Sequence, residues 1–262
     1  MSAEIHPTAV IDPGAKIGSD CRVGPFCVIG PNVVLGEGCD VKPHAVIVGD
    51  TALGPRCTVF PGAVVGEVPQ DLKYRGEATR LRIGARNTIR EGVTLNIGTA
   101  GGGGLTTIGD DNLFMTGSHV GHDATIGSGC VFANQVAIAG HCEIGDRVIV
   151  GGLSGVHQWV RIGTGAIIGA VTMVTNDVIP YGLVQGPRGE LDGLNIVGLK
   201  RSGTAREDIS ALRVAYAMLK QGDGSFIERA RRLRDETSSS MVKEVCAFIL
   251  TEETDRHFLV PR

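Results

Sequence analysis

Four of the seven histidines fall in one stretch of the chain, at His119, His122, His141 and His157. Asp123 directly follows His122, Gly140 precedes His141, and Gln158 follows His157. An imidazole with a pKa near 6.5 can take a proton from an alcohol, which is otherwise a poor nucleophile at neutral pH. A carboxylate beside it can accept the other ring N–H and fix the tautomer. A glycine N–H can bind an oxyanion. These residues fit acyl transfer to a hydroxyl, with His122 as base, Asp123 as its orienting acid and Gly140 as oxyanion donor. No Gly-x-Ser-x-Gly elbow is needed if the acyl group passes directly from donor to acceptor. A zinc set made of His119, His122 and His141 is the competing chemistry. A non-catalytic scaffold would leave the cluster without a role. His6, His44 and His257 are isolated and fit surface or packing positions.

The element that must bring these residues together is a repeat. Every sixth residue from Ile5 to Val65 is aliphatic. The phase breaks at Asp71 and Glu77 and returns at Ile83, Ile89 and Leu95. After a second break it shifts by one residue and runs from Ile108 through Phe114 and Val120 to Val174. Period six is neither the strand period of two nor the helix period of 3.6. It fits short strands joined by tight corners, three hexads to a coil, with coils stacked as in solenoids. Residues 18 apart then share a column. His122, Gly140 and Gln158 form one, Asp123, His141 and Trp159 form the next, and His157 lies beside them. The expected fold is an all-β solenoid, a parallel β-helix over residues 1–187, followed by a small α-helical domain over 188–262.

The same register places Cys21, Cys27, Cys39, Cys57, Cys130 and Cys142 four residues past the aliphatic position, where the side chain is small and turned inward. That pattern fits buried packing rather than disulfides or a metal. Aromatic residues are only 4% of the chain and glycine contributes 39 of 262, as small corners and an aliphatic core require. A net charge of -3 gives no reason to expect nucleic-acid binding. The sequence contains no transmembrane stretch and no signal peptide, so a cytoplasmic protein is expected.

Two polar breaks, at about 67–80 and 98–107, must leave the coil. Loops on a rigid scaffold commonly carry binding groups. The first offers opposite charges at Asp71 and Lys73, and the second contains Gly101-Gly102-Gly103-Gly104. Past residue 204 the pattern turns helical. Capping boxes are expected at Thr204–Glu207 and Ser225–Glu228, the second opening a helix to about Glu236, with a third helix from about Met241 to Glu253. Residues 188–262 hold 13 of the 25 Lys and Arg residues together with 12 acidic ones. Lys200, Arg201 and Arg206 form either a solvated face or a docking patch for an acidic partner.

The hexads resemble those of the hexapeptide-repeat acyltransferases, and that resemblance supplies the left-handed sense. A more specific likeness, to the UDP-N-acetylglucosamine acyltransferase family of lipid A synthesis, rests on several segments in order. They are His6–Ala9, Gly66–Tyr74, Gly101–Thr106, Ser118–Asp123, Ala139–His141, Val156–Trp159 and Asn195–Arg201. The resemblance implies transfer of a 3-hydroxyacyl group from acyl carrier protein to UDP-N-acetylglucosamine, without a cofactor or metal, in a homotrimer with sites between subunits. It implies catalytic roles for His122, Asp123 and Gly140. It also implies sugar contacts from Asp71, Lys73, His141, His157 and Gln158, and nucleotide contacts from Asn195 and Arg201. Ala170 falls where the family measures acyl length, which implies a chain of about 12 to 14 carbons. Three positions depart from the family pattern: Asn96 in place of a histidine, Ser202 in place of an arginine, and Val197 in place of a glutamate. Asn96 leaves open a 3-amino form of the sugar. The γ-class carbonic anhydrases share the β-helix and represent the zinc alternative.

Overall fold

A two-residue strand has too few hydrogen bonds to persist alone, so its partners must come from neighbouring coils. In the computed structural model, which describes residues 2–251 and 257–260, the chain winds as a left-handed coil with three parallel faces. Among the described residues, sheets A, B and C contain 11, nine and eight strands. Consecutive strands pass from sheet to sheet, and each pairs with the strand one coil away. His119 pairs with Ala137, Ala137 with Gly155, and Gly155 with Met173, so the 18-residue columns are real.

The hexad residue of each strand points inward. Val23, Ile29, Leu35, Ile47, Phe114, Ile138 and Ile168 are buried. Ile5, at the open first coil, remains 46% exposed because no coil covers it. The small inward positions do more than fill space. Cys21 Sγ donates to Gly36 O at 3.0 Å, Cys27 to Lys42 O at 3.0 Å, Cys130 to Gly145 O at 3.2 Å and Cys142 to His157 O at 3.1 Å. Ser154 makes the same bond to Gly169 O at 2.8 Å. Each reaches a carbonyl 15 residues ahead; those of Lys42 and His157 also accept a long backbone bond, from Ala45 and Val160. All seven cysteines are free and buried, and burial pushes the Cys130 thiol up to about 11.

Most corners of the coil turn through left-handed backbone. Asp123, His141 and Trp159, at φ 59°, 61° and 69°, form the edge between sheets B and C. Arg86, Asp111, Arg147 and Tyr181 take the same conformation at the edge between C and A. For a residue with a Cβ this costs about 1–2 kcal/mol, so neighbouring contacts must hold each corner in place.

The outward faces differ. On sheet B the outward column begins Val10, Val28, Val46, Val64 and later includes Ala137, Gly155 and Met173. On sheet A it contains Leu113, Val131, Ile149, Ile167 and Leu183. Sheet C instead presents Lys16, Arg82, Thr107, Thr125 and Glu143. The earlier part of the sheet A column is polar, with Glu4, Arg22, Asp40, Thr58 and Thr88, so the later half of sheet A and most of sheet B mark the sides that want to be covered.

The coil extends beyond the hexads. Strand Gly182–Gln185 continues sheet A in parallel, and Glu190–Leu194 returns against it antiparallel. Four helices follow: α1 (Ile196–Arg201), α2 (Arg206–Lys220), α3 (Phe226–Glu236) and α4 (Ser240–Leu250). Ser225 and Glu228 form the expected capping box of α3. The box expected at Thr204 does not form. Ala205 is the N-cap of α2 and makes no side-chain cap bond, because Thr204 Oγ1 pairs with Ser202 instead. Residue 253, the expected end of the last helix, lies outside the described residues. The short α1 has no hexad or 3.6-residue signal long enough to read. It is fixed by Asn195, whose side chain accepts from Gly198 N–H at 2.9 Å. The helices are tied to the last coil by Tyr181, which donates to the Glu244 carboxylate, and by Arg161, whose guanidinium lies over the Phe248 ring at 4.8 Å.

Candidate active site

His122 and Asp123 sit in a corner of the coil, where the chain must turn left-handed and consecutive side chains spread apart. His122 Nδ1 lies 2.8 Å from Asp123 Oδ2, so the carboxylate fixes the ring. The Asp123 side chain is fully buried and is held from two further directions. Thr99 N–H donates to Oδ1 at 2.8 Å, and Thr99 Oγ1 donates to Oδ2 at 2.6 Å. Asp123 N–H in turn donates to Thr106 Oγ1 at 2.8 Å. Both threonines belong to the second break, so that insertion folds over the carboxylate and seals it. Its glycines make this possible. A Cβ on Gly102 would stand 2.2 Å from Asp123 Cγ. Thr99 and Thr106 were missed from sequence. The available signal was the glycine run lying one coil before the histidine corner.

Gly140 lies one coil along, directly under His122. A Cβ there would fall 2.7 Å from the His122 Cε1 and Nε2 atoms, so only glycine lets the ring lie flat on the backbone. No acceptor among the described residues takes the Gly140 N–H. His141 crosses the His122 ring edge-on, with centroids 4.8 Å apart, and stacks on Trp159 at 3.7 Å. Burial holds the His141 ring below its ordinary pKa, partly offset by Asp123 and by Asp71 in the first loop. His119 is likewise held below its ordinary value by burial, and its Nδ1 lies 2.7 Å from Thr94 Oγ1. The groups that approach metal-ligand spacing are therefore His122, Asp123 and His141, and His119 is not among them.

A groove of about 360 Å³ opens over these residues. His119, His122 and Asn96 line one end. Its floor consists of Gly121, Ala137, Ala139, Gly140 and Gly155, and it ends at Met173, with His157 and Gln158 on the rim. Gln70 is the first-loop residue that reaches it; Asp71 stands nearer His141, and Lys73 is exposed. Asn96 donates to Glu67 O and Val68 O at 3.3 and 3.2 Å, but its buried Oδ1 meets no donor. Ala170 is exposed on the turn before Met173 and does not line the groove of a single chain.

Asn195 and Arg201 lie elsewhere, in a second cavity of about 400 Å³ against sheet A and α1. Both ends of the Asn195 side chain are engaged, Oδ1 by Gly198 and Nδ2 by Gly165 O at 2.9 Å. A further cavity, of about 880 Å³, is lined only by the helical region and contains none of the histidines.

The C-terminal part, residues 177–258, matches the family profile described as UDP N-acetylglucosamine O-acyltransferase, domain 2. Residues 14–49 and 105–140 match the bacterial transferase hexapeptide (six repeats). The acyl-[acyl-carrier-protein]–UDP-N-acetylglucosamine O-acyltransferase of Paracoccus denitrificans is 65% identical over 197 residues, 75% of this chain and 74% of the relative. This chain belongs to the UDP-N-acetylglucosamine acyltransferase family. The relative from Anaeromyxobacter sp. strain K is 55% identical over 232 residues, 88% of this chain and 90% of its own. A crystal structure of a UDP-N-acetylglucosamine acyltransferase superposes with a TM-score of 0.94 at 42% identity, covering 99% of both chains. The structure from Acinetobacter baumannii gives 0.93 at 38% identity, covering 98% of this chain and 99% of that one.

Proposed function

We propose that this protein transfers a 3-hydroxyacyl group from acyl carrier protein to the 3-hydroxyl of UDP-N-acetylglucosamine, the first step of lipid A synthesis. The observation that carries the mechanism is the His122–Asp123 pair lying on the free Gly140 N–H beside an apolar groove. Asp123 holds the His122 Nδ1 proton, which leaves Nε2 to take the proton of the sugar hydroxyl. The hydroxyl oxygen bonds to the thioester carbonyl carbon, and the Gly140 N–H donates to the resulting oxyanion. Collapse breaks the carbon–sulfur bond, and the imidazolium returns its proton to the departing carrier thiol. The acyl chain runs along sheet B over Ala137 and Gly155 to Met173, where Ala170 is close enough to set its length. Asp71, Lys73, His141, His157 and Gln158 hold the sugar, and Asn195 and Arg201 serve the nucleotide.

The groove and the Asn195–Arg201 cavity lie on different faces of one chain, so one substrate can reach both only across two subunits. Most of sheet B and the later half of sheet A, from Leu113 to Leu183, present apolar side chains outward. Packing A of one copy on B of the next closes a homotrimer with C outside. The edge between B and C of one subunit then meets the edge between C and A of its neighbour. No described helix is long and apolar enough to cross a membrane, and all cysteines are free. We place the enzyme in the cytoplasm. Incubation of purified protein with 3-hydroxyacyl carrier proteins and UDP-N-acetylglucosamine tests the reading, and the absence of an acylated sugar would refute it.

A second acceptor is favoured by one feature, the unpaired Asn96 Oδ1 in the same groove. A 3-amino form of the sugar would keep an N–H for that oxygen after giving a proton to His122, whereas a hydroxyl would not. Competition between the two sugars decides between them.

A further inference from the structure

At the edge between sheets C and A, the corner column runs Gly129, Arg147, Gly165, Tyr181. Large and absent side chains alternate. A Cβ on Gly129 would stand 3.5 Å from the Arg147 stem, and one on Gly165 would stand 2.8 Å from the Tyr181 ring. Gly165 therefore makes room for the Tyr181 ring, while the Arg147 stem lies at ordinary contact distance from Gly129. Arg147 and Arg201, from the coil and from α1, line the same 400 Å³ cavity. Both are exposed, and neither has an ion-pair partner among the described residues. Two carboxylates near this edge are engaged elsewhere: Glu244 accepts from the Tyr181 hydroxyl, and Asp146, which precedes Arg147, accepts from Ser128 N–H at 2.8 Å. Asn195, the other polar side chain expected to act there, already gives one N–H to Gly165 O and accepts from Gly198 N–H, which leaves it a second N–H and a second lone pair.

We propose that Arg147 is a substrate-binding residue that, with Arg201, clamps the diphosphate of the nucleotide sugar. The inference rests on the acceptor assigned above. Two unpaired guanidinium groups match the two negative charges of a diphosphate, and guanidinium forks bind phosphate oxygens in pairs. Their place on the edge that meets the neighbour's His122 corner leaves the sugar end of the same molecule free to reach the base.

The test uses the full-length enzyme. Arg147→Ala should raise KM for UDP-N-acetylglucosamine by about ten- to hundredfold, the usual cost of a lost charge-assisted hydrogen bond, with kcat and KM for the acyl carrier protein nearly unchanged. Arg147→Lys should recover part of the loss. Calorimetry with UDP and with uridine isolates the phosphate contact. The variant should bind UDP more weakly and uridine equally well. Adding Ser202→Arg, which lines the same cavity, to Arg147→Ala should restore UDP affinity. An unchanged KM for the sugar, an equal loss for uridine and UDP, or a rise confined to the carrier protein would each overturn the proposal. Failure of the wild type to acylate the sugar would instead remove the assigned acceptor, and UDP binding would still judge Arg147.

Discussion

Asp123, His141 and Trp159 at the edge between sheets B and C share their backbone conformation with Arg86, Asp111 and Arg147 at the edge between C and A. The surroundings are opposite. Asp123 is sealed beneath Thr99 and bonded to His122, and His141 is stacked on Trp159. Arg86 and Asp111 pair at 2.6 Å with about half of each side chain in solvent. The repeat supplies equivalent corners, and what differs is the cover. An insertion of ten or so residues, rather than the corner itself, turns one edge into a desolvated site where fixed hydrogen bonds hold His122 and Asp123. The other edge stays a solvated rim, suited to catching a charged ligand.

The strongest way to break this contrast is His122→Ala. Loss of the proposed base should lower kcat by about 10²–10⁴-fold while circular dichroism and oligomer size stay unchanged. Retention of more than a tenth of the wild-type rate would mean that the sealed corner is not catalytic. Asp123→Asn should slow turnover less. Its amide would donate to His122 Nδ1 and favour the wrong tautomer, yet the ring remains in place. Thr99→Val should act in the same direction and more weakly, because it removes one of the bonds that orient the carboxylate. A Thr99→Val enzyme with the wild-type pH–rate profile would show that the insertion only covers the corner.

A third prediction concerns the groove. Ala170→Met should move the preferred acyl chain shorter, and Ala170→Gly should move it slightly longer, since one methylene in an apolar pocket is worth about 1–3 kcal/mol. Mixed-chain competition with folded protein measures the product distribution. Identical distributions from both variants would return Ala170 to a packing role and leave Met173 as the end of the groove.

Much of this was legible because the repeat makes spacing equivalent to position. Once residues 18 apart share a column, His122, Gly140, His141 and Trp159 must meet, and the stacked rings follow. The inward cysteines were legible as packing, but not as donors to the carbonyls 15 residues ahead, because that bond depends on the rise between coils. The insertions were not legible in detail. Nothing in the spacing of Thr99 and Thr106 shows that they reach back to Asp123, since a break in a repeat also breaks the rule that assigns columns. The region after Pro180 failed for the same reason. Without hexads, strand Glu190–Leu194 and helix Ile196–Arg201 have too few residues to show a period.

A fourth prediction separates the two edges by pH. Burial holds His119 and His141 below their ordinary value of 6.5, so the folded protein keeps them neutral where the unfolded chain would protonate. Their contribution to stability is complete above that value and is lost as pH falls from 6.5 toward the lowered folded values. Melting temperature should therefore decline across mildly acidic pH, and His119→Gln should flatten the decline. A wild-type melting temperature that is constant through that window would show that these rings are not buried neutral.

The smallest effect is expected at the solvated edge. Arg86 lies against Asp111 and, at 3.4 Å, Asp110, and it holds the Asp111 carboxyl below the usual range. These groups are screened by water and salt, and exposed pairs contribute little because ordering two side chains offsets the attraction. Arg86→Ala should leave both kcat and melting temperature at wild-type values, at low as well as moderate ionic strength. A clear loss of stability at low salt would mean that this edge is held by charge as firmly as the other is held by buried hydrogen bonds. The distinction between a sealed corner and a solvated one would then have to rest on chemistry alone.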